Sequence, residues 1–415
     1  MKIAIIGSGI SGLTASYLLN RKHNITLFEK NDYIGGHTHT HEIENDNKIW
    51  NVDSGFIVYN ERTYPNFIKL LDILGVERQV TRMGFSVKSA SKNLEYAGHS
   101  LNGLFAQRSN LCSPSFFRML GGMKRFNKEA RKDLPSLNKK MTLGEYLLKN
   151  HYSEEFIDNY IIPIGAAIWS TKPSSMLNIP AIFFIRFFEN HGLLQILDRP
   201  KWWVIKGGSK QYVKKIISGF EKDIRLSTPV HSVIRTDKSV MIRFGVDKSE
   251  EKFDAVVLAT HSNQALKLLK QPTDKEKEIL SLLPYQRNDA VLHYDHSILP
   301  KRRSAWSSWN YLLDARKEDP VALTYNMNIL QGLNSSKTFC VTLNSSEMIN
   351  KNKIIKNLSY EHPLFTTEGV NAQKRKREIS GQNNTFYCGA YWHNGFHEDG
   401  VVSALDVCSQ FGETL

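Results

Sequence analysis

A glycine-rich turn lies at the very start of the chain, between two segments of opposite character. Residues 2–6 (KIAII) predict a buried parallel strand, residues 7–12 (GSGISG) form the turn, and residues 13–19 predict a helix. A second apolar run, residues 25–28, predicts another strand and ends at Glu29. This order of strand, glycine turn, helix, strand and acid is typical of a dinucleotide-binding unit. The chain is therefore predicted to begin with a Rossmann-type α/β unit.

Each glycine of this turn has a distinct predicted role. Gly7 permits the tight turn, Gly9 lets the backbone approach a pyrophosphate at the helix N-terminus, and Gly12 lets helix and strand pack closely. The carboxylate of Glu29 is expected to accept hydrogen bonds from a ribose. The alternative is a purely structural turn.

A second pair of glycines, Gly35 and Gly36, follows six residues after Glu29 and precedes His37. Adjacent glycines let the chain pass close to a bulky ligand, which favours FAD over NAD. The alternative is an ordinary glycine loop. This segment resembles the flavoprotein superfamily of monoamine oxidase, protoporphyrinogen oxidase and phytoene desaturase. In that superfamily a Gly-Gly-basic element follows the acid, usually with arginine third, whereas this chain has His37.

The C-terminal segment resembles the same superfamily. Residues 385–390 predict a strand ending near Gly389, residues 395–400 a turn, and residues 401–410 a closing helix. The resemblance implies that Asp399 contacts the ribityl chain or pyrophosphate of FAD. It also implies that the helix N-terminus, at Gly400 and Val401, faces the flavin edge where negative charge develops. The alternative is that Asp399 only caps the helix.

A third superfamily element lies between these two. A Gly-Gly turn in residues 204–209 is followed by a strand ending near Val230, whose backbone would meet adenine, and by an apolar strand ending at Ala259. The cofactor-binding residues predicted on all these grounds are Gly7, Gly9, Ile10, Ser11, Gly12, Glu29, Lys30, Gly35, Gly36, His37, Gly55, Phe56, Val230, Ala259, Gly389, Asp399, Gly400 and Val401.

A narrower resemblance concerns a group of bacterial FAD-binding proteins. It rests on five motifs, at residues 53–56 (DSGF), 167–170 (AIWS), 191–194 (HGLL), 309–311 (WNY) and 395–400 (GFHEDG). Members of that group often accompany enzymes that modify fatty acyl chains and are related to cyclopropane fatty acid synthase. The resemblance therefore suggests a role in fatty acid modification.

The nucleotide-binding segments lie at both ends and in the middle of the 415 residues, so the two predicted domains are interleaved. We expect a discontinuous FAD-binding domain of the amine-oxidase (GR2-like) type in residues 1–85, 200–270 and 381–415. Residues 86–199 and 271–380 are expected to form an α+β substrate-binding domain, a mostly helical insertion plus a mixed sheet. The predicted fold class is α/β.

The net charge of +13 is concentrated in Phe116–Lys132, where basic and large apolar residues interleave. This amphipathic pattern predicts either a helix packed on the substrate domain or a peripheral contact with an anionic membrane. Nucleic-acid binding is not predicted, because no recognition motif accompanies the charge. We expect a cytoplasmic protein, with contact at the inner membrane face as the alternative.

The four cysteines are far apart and form no CxxC, so neither a metal site nor a redox dithiol is predicted. They are expected to be free, buried thiols in a reducing cytosol. The Ser-Gly-Gly-Cys element that links flavin in monoamine oxidases is absent, so FAD is predicted to bind noncovalently. No apolar stretch reaches the roughly 18 residues of a membrane span.

Several aromatic and histidine residues are candidates for the reaction. Tyr391 and Trp392 correspond roughly to the aromatic pair that guides amines in amine oxidases, and His393 and His397 are the nearest titratable bases. Tyr59 is expected either at the substrate cavity or in a surface loop. Trp169 is a further candidate for the cavity lining. Packing in the core is the alternative for every one of these aromatic residues.

One departure from the superfamily bears on the chemistry. Many of its oxidases carry a lysine at the start of a substrate-domain strand, yet residues 287–294 (RNDAVLHY), the comparable segment, contain none. The apolar run 179–188 suits the wall of a tunnel. We therefore expect desaturase-like hydride transfer from a lipophilic substrate, such as an unsaturated or methylated fatty acyl chain, to flavin N5. The alternatives are an FAD-dependent amine oxidase and a non-catalytic flavin- or lipid-binding partner of a lipid-modifying enzyme.

Overall fold

The chain forms both parallel and antiparallel strand pairs. The computed structural model describes residues 1–195, 199–314 and 321–415. In these ranges the strands are β1 (Lys2–Ile6), β2 (Asn24–Phe28), β3 (Thr40–Asn45), β4 (Lys48–Asp53), β5 (Val58–Asn60), β6 (Arg78–Thr81), β7 (Phe85–Ser89), β8 (Leu94–Ala97), β9 (Trp202–Ile205), β10 (Ile224–Arg225), β11 (Val230–Thr236), β12 (Ser239–Phe244), β13 (Ser249–Phe253), β14 (Ala255–Leu258), β15 (Tyr285–His293), β16 (Trp309–Leu312), β17 (Leu323–Asn326), β18 (Cys340–Leu343), β19 (Ile354–Pro363) and β20 (Thr385–Tyr387).

The helices cluster between β8 and β9, with others on the faces of the parallel sheet. In the same ranges they are α1 (Ile10–Leu19), α2 (Pro65–Ile73), α3 (Leu101–Leu104), α4 (Pro114–Asp133), α5 (Leu143–Lys149), α6 (Glu154–Phe156), α7 (Ile162–Trp169), α8 (Pro173–Met176), α9 (Ala181–Asn190), α10 (Lys210–Ile217), α11 (Ser262–Leu268), α12 (Asp274–Ser281), α13 (Met327–Gln331), α14 (Thr367–Gln373) and α15 (His397–Ser409).

A five-stranded parallel sheet is built from both ends and the middle of the chain. Its strand order is β10-β2-β1-β14-β20, with Ile5 opposite Leu27 on one side and Val257 on the other. Its strands are apolar on both faces because each face is covered: Ile3 and Ile5 pack with α1, α10 and α15, whereas Ala4 and Ile6 belong to a second cluster. The prediction of a Rossmann-type α/β fold is confirmed.

A seven-stranded mixed sheet forms the other large layer, in the order β19-β15-β18-β17-β16-β7-β8. Helices α4 to α9 pack against its β7, β8 and β16 end in one apolar cluster rich in phenylalanine and tyrosine. The mixed sheet and its helices therefore form a second layer, which draws on residues between the segments of the parallel sheet.

Several predicted boundaries are wrong. Helix α15 begins at His397 instead of Val401, because the Asp399 carboxylate accepts a hydrogen bond from the Phe396 N–H (2.9 Å) and closes a turn that lacks an ordinary capping residue. Val230 does not end a strand of the parallel sheet but begins β11 in a separate three-stranded sheet. Strand β15 begins at Tyr285, ahead of the predicted segment, and contains no lysine.

The thiols are free, but not all are buried. Cys340, Cys388 and Cys408 lie in the core, whereas Cys112 is exposed in a 3₁₀ turn before α4, which contradicts the expected burial. Across the three described ranges, no helix combines the length and apolar character needed to cross a bilayer.

Candidate active site

Two helix N-termini meet at one place in the molecule. Helix α1 begins at Ile10 and no side chain caps it, and α15 packs directly against it. A Cβ on Gly400 would lie 2.6 Å from Ile10 Cγ2 and 3.0 Å from Ser11 Oγ, so only glycine permits this approach. The converging helix ends present free N–H groups and positive partial charge, which suits an anionic ligand.

The first glycine turn has the geometry that its sequence predicts. Gly7 has φ of +103°, and a Cβ there would lie 2.7 Å from the carbonyl oxygen of Ala259. A Cβ on Gly12 would lie 1.9 Å from the carbonyl oxygen of Gly7, whereas a Cβ on Gly9 would meet no atom within 4 Å. Gly7 and Gly12 therefore hold the turn against the sheet, and Gly9 leaves open space beside it.

The carboxylate of Glu29 ties the two glycine turns together. The N–H and hydroxyl of Ser8 donate to Glu29 Oε2 (3.0 and 2.6 Å), and the Asn31 N–H donates to Oε1 (2.9 Å). The Ser8 hydroxyl in turn accepts from the Gly35 N–H (3.1 Å). Buried Glu29 thus has a structural role in the turns, in addition to any contact with a ribose.

One cavity of about 660 Å³ opens beside these turns and brings together many of the predicted residues. The predicted residues that line it are Gly9, Ile10, Ser11, His37, Gly55, Phe56, Trp169, Ala259, Gly389, Tyr391 and His397. The predicted residues that do not line it are Gly7, Gly12, Glu29, Lys30, Gly35, Gly36, Tyr59, Val230, Trp392, His393, Asp399, Gly400 and Val401. Several of these, such as Gly7, Gly12 and Gly400, instead support the lining from behind.

His397 lies on the cavity wall but is held rigidly. Its ring stacks on Phe56 at 3.5 Å between centroids, and its Nε2 hydrogen-bonds with the hydroxyls of Thr38 (3.0 Å) and Tyr212 (3.1 Å). Burial lowers the pKa of His397 to about 3. The imidazole is therefore neutral at physiological pH, and its fixed position suits a wall better than a proton acceptor. A Cβ on Gly55 would lie 2.1 Å from the His37 carbonyl oxygen, which explains glycine before Phe56.

The other catalytic candidates differ in their access to the cavity. The ring of Tyr391 covers Gly389, where a Cβ would lie 2.4 Å from a ring carbon, and lines the cavity. Trp392 is buried beside it without reaching the lining, and the His393 side chain is exposed. Tyr59 is fully buried behind Phe56.

A histidine group that the sequence analysis did not identify forms the polar wall of the cavity. The ring centroid of His37 lies 6.0 Å from that of His261, 5.5 Å from that of His362 and 5.1 Å from that of Tyr360. In the tautomer of His261 that carries its proton on Nδ1, this nitrogen donates a hydrogen bond to Glu361 (2.9 Å). Of its members, the sequence analysis names only His37, as a cofactor contact, whereas His261 lies three residues after the end of the parallel strand β14.

The members of this group differ in their pKa shifts and in their hydrogen-bond partners. Burial, together with repulsion from His261, lowers the pKa of His362 to about 4, and burial puts the pKa of His37 well below its usual range. The hydrogen bond from His261 lowers the pKa of Glu361. His261 is thus the one member with a carboxylate partner, and the tautomer that donates to Glu361 leaves Nε2 free to accept a proton.

Away from the glycine turns, the cavity continues as an apolar chamber between the mixed sheet and the helical layer. Its lining there includes Phe85, Tyr96, Met123, Tyr160, Ile164, Ile168, Trp169, Phe187, Trp309, Tyr325, Phe365 and Phe396. Glu361 is the only acid among the described lining residues, and Arg199 and Lys201 are the only Arg or Lys side chains. Within the described ranges, no group of His, Cys, Asp and Glu is arranged to hold a metal ion.

The residues around the turns fit FAD. The uncapped N-terminus of α1 and the open space at Gly9 would hold the pyrophosphate, and Glu29 lies where an acid would meet the ribose. The N-terminal end of α15, at Phe396 and His397, lines the same cavity. The isoalloxazine would find aromatic and glycine surfaces rather than charged groups there.

Solved structures share this fold over nearly the whole chain. A fatty acid isomerase from P. acnes covers 99% of this chain and 98% of its own, with 15% identity and a TM-score of 0.70. A cyclohexylamine oxidase from Brevibacterium oxydans covers 99% of both chains, with 15% identity and a TM-score of 0.68. At these identities the likeness concerns the fold alone.

Sequence comparison points to one family. A mouse L-amino-acid oxidase is 24% identical over 317 residues, 68% of this chain and 46% of the enzyme. Protoporphyrinogen oxidase 2 from Arabidopsis thaliana is 25% identical over 187 residues, 42% of this chain and 34% of the enzyme. The chain thus spans less than half the length of either relative. The family described as flavin-containing amine oxidoreductases matches residues 10–316, well over half of the chain. This protein belongs to the flavin-containing amine oxidoreductase family.

Proposed function

We propose that this protein is an oxidoreductase that binds FAD noncovalently and removes hydrogen from a lipophilic substrate, such as an unsaturated or methylated fatty acyl chain. The observation that carries the proposal is the apolar chamber, whose aromatic and aliphatic lining would solvate a hydrocarbon chain. No cysteine is among the described lining residues, which supports noncovalent binding. The fatty acid isomerase among the solved structures supports only the capacity of this fold to accommodate a fatty acid.

The charges in the cavity favour a lipid over an amine. A buried ammonium group is stabilised most strongly by a free carboxylate, because an unpaired buried cation is costly. Glu361, the single acid among the lining residues that the structure describes, already accepts hydrogen bonds from His261 and Gln264. Arg199 and Lys201 add positive charge, which disfavours a cation further.

FAD, when bound, supplies the acceptor for the hydride that the substrate loses. A proton must also leave the carbon next to the one that loses hydride, and a double bond forms between the two. In the proposed reaction His261 takes this proton at Nε2, and Glu361 stabilises the resulting imidazolium through the 2.9 Å hydrogen bond at Nδ1.

The proposal is tested by anaerobic reduction of the FAD-loaded protein. Oleate, linoleate and unsaturated phospholipids are compared with putrescine, cyclohexylamine and L-amino acids, and loss of the oxidised-flavin absorbance is recorded. We expect reduction by at least one lipid. Reduction by amines alone would replace the proposal with amine oxidation. A flavin that light can reduce but no substrate can reduce would favour the non-catalytic binding partner.

A substitution in the chamber adds a structural control. Ile168→Asp puts a carboxylate on the chamber wall, and we expect at least a tenfold loss of lipid affinity with FAD content unchanged, because burying an unpaired charge costs several kcal/mol. Leu148→Asp is the matched control, since Leu148 lies 77% exposed on α5 of the same helical layer. Equal lipid affinity in both variants would show that the lipid does not use this chamber.

A further inference from the structure

Helix α4 has two faces of opposite character. Phe116, Met119, Phe126 and Ala130 are buried in the helical layer. On the other side an exposed stripe runs through positions 117, 121, 124, 128 and 131, spaced three or four residues apart. The apolar face of the helix packs on the helical layer, as one of the two predictions for this segment expected. A continuous stripe on the opposite face remains exposed to solvent.

This stripe carries an excess of positive charge. The helix holds six basic and two acidic side chains. Arg118 is paired with Glu155 (2.5 Å) and Arg131 with Glu189 (2.9 Å). Lys124, Lys128 and Lys132 enter no salt bridge with any described residue, and all three are exposed. Lys139 and Lys140 extend the exposed charge beyond the end of the helix.

Three large apolar side chains are exposed at the start of α4 and in the segment that leads into it. Leu101 is 78% exposed, Leu111 51% and Phe117 49%, and all three lie between α3 and the first turn of α4. The Phe117 ring lies 6.3 Å from that of Phe105, and Phe117 begins the exposed stripe that continues through Lys124 and Lys128. We call Leu101, Leu111, Phe117, Lys124, Lys128 and Lys132 the docking patch.

The docking patch and the apolar chamber share their supporting elements. Met123 lines the chamber, whereas Lys124, the next residue of α4, belongs to the patch. Gly98 and His99, directly before α3, also line the chamber. The chamber therefore reaches the same helices that carry the patch.

We propose that the docking patch binds the surface of an anionic lipid bilayer and that the chamber receives its substrate from that bilayer. Unpaired lysines complement lipid phosphates, and neighbouring exposed leucine and phenylalanine side chains can enter the interfacial layer, a combination typical of peripheral membrane binding. A nucleic acid would interact with the lysines of the docking patch, but it would not account for the exposed leucine and phenylalanine side chains. The loading of substrate rests on the proposed function, whereas the docking itself does not.

The test is sedimentation of the purified full-length protein with lipid vesicles. Vesicles of phosphatidylcholine alone are compared with vesicles that also contain phosphatidylglycerol, at low and high salt. We expect binding only with phosphatidylglycerol, weakened by salt. Replacement of Lys124, Lys128 and Lys132 by glutamine should reduce the partition coefficient about a hundredfold, at about fivefold for each lysine. Phe117→Ser should reduce it about tenfold.

The matched control carries Lys222→Gln, Lys238→Gln and Lys267→Gln, three exposed lysines outside α4 and the helical layer, with the same change in net charge. An equal loss of binding in this control would overturn the proposal, since general positive charge would then explain it. So would absence of vesicle binding by the native protein, or equal affinity for duplex DNA lost in the same patch variant. Lipid oxidation in detergent without vesicle binding would reject the docking and leave the proposed function standing.

Discussion

Alanine substitutions at two glycines of the first turn, Gly9 and Gly12, should distinguish the effect on cofactor binding from the effect on stability, because each adds a single methyl group. The backbone of Gly9, with φ of −65° and ψ of 176°, is one that alanine adopts without strain, and its Cβ would meet no atom within 4 Å. Gly9→Ala should therefore leave the free energy of unfolding unchanged or raise it by about 0.5 kcal/mol, through loss of entropy in the unfolded chain. The added methyl group would nevertheless occupy the space that the structure leaves for a pyrophosphate.

The expected loss of FAD affinity follows from the contacts that this methyl group displaces. Keeping the pyrophosphate away from the uncapped N-terminus of α1 removes one or two hydrogen bonds to a charged group, each contributing about 1.5–3 kcal/mol. A loss of about 3 kcal/mol corresponds to roughly a 150-fold higher dissociation constant. Gly12→Ala should behave in the opposite way. Its Cβ would lie 1.9 Å from the Gly7 carbonyl oxygen, so the turn must shift at a cost of about 3 kcal/mol in stability.

The assay combines denaturant unfolding without added FAD and titration with FAD followed by flavin fluorescence. Gly9→Ala should unfold like the native protein and bind FAD weakly, and Gly12→Ala should unfold more easily. If Gly9→Ala bound FAD with native affinity, the assignment of this turn to the pyrophosphate would be wrong. If Gly9→Ala were as unstable as Gly12→Ala, the open space at Gly9 would not exist in solution.

Two further predictions concern titratable residues. His261→Gln should slow anaerobic flavin reduction by the active lipid by about a hundredfold or more, with FAD content unchanged. His393→Gln, at an exposed position, is the control and should have no effect on this rate. Equal rates in the two variants would exclude His261 as the proton acceptor. Burial raises the pKa of Asp399 to about 7 from its ordinary value of 3.8. Between these two pH values the folded state binds more protons than the unfolded state, so the free energy of unfolding falls as pH rises, by at most about 4 kcal/mol. Asp399→Asn should flatten this fall in urea unfolding from pH 4 to 8, and an unchanged slope would contradict it.

The parallel sheet and its glycine turns could be predicted because their signals are local. A run such as residues 2–6 is apolar on both faces since a parallel sheet is covered on both sides, and the turn geometry at Gly7 and Gly12 follows from close backbone contacts. The start of α15 could not be predicted in the same way. The N–H of Phe396 donates a hydrogen bond to Asp399 in the first turn of the helix itself, and phenylalanine is not among the residues preferred at the N-cap position.

The histidine group shows the limit of local patterns more clearly. His37 follows the second glycine pair, His261 follows β14, and His362 lies on β19, so more than three hundred residues separate its members. Only the tertiary fold brings them to one wall, because β15 pairs with β19 and sets His362 opposite Gln286. Proximity in sequence to the closing helix favoured His393 and His397 instead, and the structure leaves the first exposed and fixes the second by stacking and hydrogen bonds.

The departure at His37 connects the glycine turns with this wall. Superfamily members usually carry arginine at this position, which would supply a permanent positive charge next to the second glycine pair. Burial puts the pKa of His37 well below its usual range, and the neighbouring His362 and His261 lower it further, so the imidazole stays neutral. An anionic cofactor at these turns would then depend on backbone N–H groups and helix N-termini for its stabilisation. That dependence is the physical reason why a single methyl group on Gly9 should matter more here than the loss of any one charged side chain.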